Sequence, residues 1–190
     1  MFYSTKYHQF FSKPTLNKMI MKKRLVFLIM ILFVICINQV KSQDFEVPKD
    51  YVLVAKGDYA KYEKDIIACA NWMENYPLNK DETKRKEANT FFIKWLSGSP
   101  TVTVSLNADF VLKYTDENPE FLTIFMAGWT RYSIENNYSK DQQKGYFEGY
   151  KSIINVYKKG LGIKKDKNLE KLIKIYDKGE LENWIKENVK

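Results

Sequence analysis

Histidine is nearly absent from this chain and cysteine is scarce: 190 residues hold one histidine, His8, and two cysteines, Cys36 and Cys69. From residue 43 onward only Cys69 remains. Without a histidine beside serine or cysteine, neither a Ser-His-Asp nor a Cys-His nucleophile can be assembled there. One cysteine and no histidine also exclude a zinc or iron site built from those ligands within one chain. An intrachain disulfide is excluded for the same reason. Cys69, in the stretch IIACANWM, falls on an apolar helical face and reads as a small core residue. Phosphate-loop, dinucleotide-fingerprint and EF-hand patterns are missing as well. The sequence therefore predicts no cofactor and no metal.

Acidic side chains are absent from residues 1–42, which carry Lys6, Lys13, Lys18, Lys22, Lys23, Arg24 and Lys41. Within them, 21–42 has the layout of a secretory signal peptide. Lys22, Lys23 and Arg24 form a basic start, and 25–37 is an unbroken apolar run of 13 residues. Val40 and Ser42 suit the −3 and −1 positions of a cleavage site between Ser42 and Gln43. A membrane-spanning helix needs roughly 20 apolar residues, so this run is short for one. The alternative is an inner-membrane anchor through 25–37. Residues 1–20 precede a natural start at Met21 and read as a leader or a mis-called start. The expected location is periplasmic or secreted.

The formal charge of +8 belongs mostly to that segment. With its seven basic residues set aside, 24 basic side chains face 23 acidic ones. A basic isoelectric point would point to nucleic acid, but the near-neutral remainder does not, and no nucleic-acid partner is expected. Contact with membrane is expected only through the export signal. Residues 158–190 are mildly basic, with 10 lysines against 6 acids. A solvated helix face accounts for that excess.

Residues 43–190 have the length of one domain with its own core. The reading is all-α: a single compact bundle of about five to six helices over 58–190, behind an extended lead-in at 43–57. Asp58 is a natural N-cap for a first helix reaching Asn75, with Tyr59, Tyr62, Ile66, Cys69, Ala70 and Met73 at helical spacing. A second helix covers 81–97, with Gly98 as its stop. Alternating Thr and Val over 101–106 suits a short extended piece, while Ser99 and Pro100 could instead open a helix. A short helix follows at 108–114. The next, 118–136, is apolar nearly all round and reads as the central buried helix. Ser139 and Gln142 form a capping box for a helix over 140–159. Two final helices, 169–178 and 181–189, divide at Gly179.

Trp129, Arg131, Tyr146 and Tyr150 are the ligand or packing candidates. Arg131 is one of two arginines after residue 42 and sits in the apolar helix. Arginine pairs bidentately with carboxylates or stacks on rings, and Glu135 stands one turn on. Gly128, Gly145 and Gly149 lie inside helices, where glycine costs roughly 1 kcal/mol relative to alanine. They let two helices approach closely, or leave room for an apolar or aromatic ligand beside Trp129, Tyr146 and Tyr150. Carboxylates are the one acid–base chemistry left. Glu63, Asp65, Glu74, Asp109, Asp116, Glu117, Glu135 and Glu148 are available, yet none sits in a diagnostic motif.

The segments FFIKWLSGSPTVTVSL and FLTIFMAGWTRYSIE resemble small exported proteins of Gram-negative bacteria that carry no assigned function. The string from Trp95 through Gly98-Ser99-Pro100-Thr101 to Val104 is the most specific part of the likeness. It implies an exported helical domain and brings no catalytic residue with it. The expected role is contact with another envelope or secreted protein, or a structural role. A small-ligand binder is the alternative, and a carboxylate-dependent hydrolase ranks third.

Overall fold

Apolar residues three and four apart make helices that bury one stripe, and those stripes set the architecture. The structure is a computed structural model and describes residues 45–189. The signal peptide, the Ser42–Gln43 site, the leader at 1–20 and the anchor alternative lie outside the described residues.

The fold is all-helical. Among the described residues there are eight α-helices and no strand: α1 (Lys56–Lys61), α2 (Glu63–Asn75), α3 (Glu82–Gly98), α4 (Ala108–Val111), α5 (Glu120–Glu135), α6 (Gln142–Lys159), α7 (Lys167–Asp177) and α8 (Leu181–Asn188). A 3₁₀ turn, Leu112–Tyr114, continues α4. No helix among the described residues is long and apolar enough to cross a membrane. The central helix is α5, which meets α2, α3 and α6, with α6 as its most extensive neighbour. It buries Phe121, Ile124, Phe125, Ala127, Gly128, Trp129, Thr130 and Ser133.

Local details depart from the sequence reading for identifiable reasons. The first helix is broken at Tyr62, whose φ of −102° and ψ of 6° leave the helical region. Asp58 is not its N-cap but lies inside α1, where its carboxylate accepts the Ala55 N–H at 2.8 Å and the Lys61 ammonium at 2.8 Å. Those hydrogen bonds hold its carboxyl down at about 2. Asp141, not Ser139, caps α6, accepting the Lys144 N–H at 3.1 Å. Ser139 is taken up in the preceding turn, where Asn137 and Tyr138 have φ of 54° and 59°.

Gly98 is still helical, and its role is space: a Cβ there would stand 2.0 Å from the Tyr59 hydroxyl. Residues 102–106 are neither strand nor helix. Ser99 Oγ accepts the Val102 N–H at 3.1 Å and closes a side-chain turn where a helix could have begun.

Candidate functional site

Trp129, Tyr146 and Tyr150 do come together, but in a closed cluster. Phe125 packs against Tyr150 at 5.0 Å between ring centroids and Trp129 against Tyr146 at 4.9 Å. Tyr114 and Trp184 close the cluster beyond Tyr150, at 5.6 and 5.9 Å. These contacts of Tyr150 are edge-to-face and the Trp129–Tyr146 pair is tilted; such geometry fills space, and Tyr150 is fully buried. Burial drives its phenol well above the ordinary tyrosine value. Each hydroxyl is used structurally. Tyr146 accepts the Asn107 N–H at 2.7 Å, and Tyr150 donates to the Phe110 carbonyl at 3.2 Å. The two tyrosines thus staple the segment around α4 onto α6.

The three helical glycines explain how α5 and α6 come so close. A Cβ on Gly145 would lie 2.0 Å from the Trp129 indole, one on Gly149 2.7 Å from the Phe125 ring, and one on Gly128 2.1 Å from Ser152 Oγ. The room is occupied by protein side chains and backbone.

Arg131 belongs to a polar group between α2, α5 and α6 in which Glu74 and Ser152 are buried, Arg131 half-buried and Asn71 exposed. It pairs with Glu74 at 2.6 Å rather than with Glu135, which is exposed. Its other terminal nitrogen donates to Asn71 Oδ1 at 2.6 Å, and Ser152 Oγ donates to Glu74. The partner could not be read from spacing along α5, because it comes from another helix. One signal was present: Glu74 follows Ala70 by four residues, so the helical repeat places a carboxylate on the inward face.

The other arginine, Arg85, also went unread. It is 5% exposed and lies over Trp72, 5.2 Å from the ring centroid. It donates to the Tyr76 and Pro77 carbonyls at 2.7 and 3.2 Å, while Lys159 donates to the Glu74 carbonyl at 2.9 Å. Two cations therefore satisfy and neutralise the negative C-terminal end of α2. Burial lowers the affinity of the Arg85 guanidinium for its proton. Cys69 is buried in the same region, and desolvation pushes its thiol up to about 12. No group of acidic, histidine or cysteine side chains among the described residues is arranged to hold a metal.

Open surface is found elsewhere. The segment 45–55 lies as a strap over α2 and α3. Phe45 packs on Trp72 and Phe91, and Tyr51 meets Phe91 at 4.9 Å. Tyr59 holds the Leu53 carbonyl at 3.2 Å. Between strap and α3 runs a groove of about 440 Å³ lined by Val47, Pro48, Tyr51, Lys86, Glu87 and Thr90. A neighbouring hollow of about 400 Å³ reaches Phe45, Glu46 and Asp81. Along the strap, Tyr51 and Leu53 turn inward, while Val52 and Val54 are 55% and 85% exposed.

Comparison of the chain with family models, curated proteins and solved structures finds no match.

Proposed function

We propose that the chain is an exported helical domain, periplasmic or secreted, that acts by contact with another envelope or secreted protein along the strap and α3. The observation that carries this reading is the strap itself. A half-buried extended segment ordinarily turns polar residues outward. This one turns valines outward at Val52 and Val54, on the same strap whose Val47, Pro48 and Tyr51 line the groove against α3. Exposed apolar area rimmed by polar residues such as Lys49, Lys86 and Glu87 suits a protein partner. The small-ligand reading finds no such support at Trp129, Tyr146 and Tyr150, whose rings fill the space between them. A carboxylate-dependent hydrolase finds none either, since the one buried acid of the polar group, Glu74, is held by Arg131 and Ser152.

The export half is tested by the intact mass of the protein recovered outside the cytoplasm, which should begin at Gln43. A mass that retains Met21 refutes cleavage there. The contact half is tested by gentle crosslinking in cells, followed by purification through a C-terminal tag. One stoichiometric envelope or secreted protein should accompany the wild type and be lost from a Val52→Asp, Val54→Asp variant that melts normally. Identical recovery from both chains would place the contact elsewhere.

A further inference from the structure

We propose that the loop between α6 and α7 is a docking tip for an anionic phospholipid surface, independent of the strap and its partner. From the last two residues of α6 into the loop, 158–165 reads KKGLGIKK. Gly160 and Gly162 have φ of +67° and +78°, in the left-handed region that favours glycine. The Gly162 N–H reaches back to the Gly160 carbonyl at 3.2 Å, so Leu161 forms the apex of a three-residue turn. Leu161 is one of the few large apolar side chains left exposed, at 42%.

The turn is fixed on both sides. The Leu78 N–H donates to the Leu161 carbonyl at 3.0 Å. Asn118 accepts the Lys164 N–H at 2.7 Å and donates to the Lys164 carbonyl at 3.0 Å. Gly162 leaves space for Asn79, which a Cβ would meet at 2.7 Å. A presented apex loses little conformational entropy on docking.

Exposed cations flank it along the chain. Lys158, Lys159, Lys164, Lys165 and Lys167 flank the apex in sequence, and Lys80 follows the Leu78 that holds it. Lys158 pairs with Asp177, and Lys159 is spent on α2. Lys80, Lys164, Lys165 and Lys167 have no ion pair among the described residues. Of the nearby acids, Asp166 is buried as the cap of α7, accepting the Asn168 and Leu169 N–H groups. Asp116 and Glu117 precede Asn118 and make no ion pair with these lysines.

Exposed lysines without ion pairs, flanking one exposed aliphatic side chain along the chain, match the chemistry of an anionic bilayer, where charge attracts and the apolar tip enters the headgroup boundary. An acidic protein surface would use the lysines but gives the leucine apex no role. Each lysine near such a surface contributes about fivefold in partitioning, and burying the leucine about tenfold. Binding should therefore be reversible and weaken with salt.

The test is co-sedimentation of the protein as isolated from cells with two kinds of vesicle. One is phosphatidylcholine alone; the other contains about a third phosphatidylglycerol. A Lys164→Glu, Lys165→Glu variant should lose about twentyfold or more in binding to the anionic vesicles. Leu161→Ser should lose about tenfold, while Lys64→Glu and Lys174→Glu, on α2 and α7, should each lose less. A variant that does not melt like the wild type is replaced by Lys80→Glu combined with Leu161→Ser. Equal binding by wild type and loop variants would overturn the proposal. So would equal binding to both vesicle types, or binding only to a soluble polyanion such as heparin.

Discussion

At the scale of single residues, glycine and arginine carry the most information. Gly145 reads in the sequence as a costly helical glycine, and the cost makes sense only if something needs the space. The Trp129 indole is that something. Gly145→Leu should destabilise the fold by about 1–3 kcal/mol through overpacking, and an unchanged thermal melt would count against the packing. Arg131 was legible as an internal ion pair, but its partner was not. Spacing along one helix offers Glu135, whereas Glu74 arrives from α2 by tertiary packing. Arg131 keeps part of its side chain in solvent and a second partner in Asn71, so Glu74→Ala should cost about 1–3 kcal/mol, less than breaking a fully buried pair. Replacing both with apolar residues, as Glu74→Leu with Arg131→Met, should cost less than the two single changes added together. Additive losses in chemical denaturation would show that the two groups do not act as a pair.

At the scale of elements, helix bounds were legible to within about two residues, while the break at Tyr62 and the choice of capping residue were not. Of the helical stripe Tyr146, Phe147, Tyr150, Ile153, Ile154 and Tyr157, four side chains are buried and Phe147 and Tyr157, at its edges, are half-buried. The start of the same helix was misread, because Ser139 and Asp141 are both good caps and only the turn at Asn137 and Tyr138 decides between them. Asp141→Ala should lower stability by about 1 kcal/mol. Ser139→Ala should cost less, since Ser139 Oγ makes only a 3.3 Å contact with the Asp141 N–H. Equal losses would return the capping role to Ser139. Gly98 shows the converse ambiguity. A glycine after an apolar stripe looks like a helix stop, yet here it makes room for Tyr59.

At the scale of the whole molecule, two arrangements divide the surface from the interior. The aromatic rings of α5 and α6 close on each other, so the side chains that first suggest a ligand site serve the fold. The strap does the opposite, keeping Val52 and Val54 in solvent while its earlier residues line an open groove with α3. The all-α class followed from periodicity alone. The groove did not, since alternation over Tyr51 to Val54 marks an extended piece without saying which helix it crosses. The central claim is that this strap is where a partner sits. The most direct measurement places a photo-crosslinking side chain at Val54 and, separately, at Lys171 on α7, and irradiates intact cells. The account predicts one discrete adduct from position 54 and none of that mass from position 171. Adducts of the same mass and yield from both positions, or none from position 54 in a correctly folded chain, would contradict it.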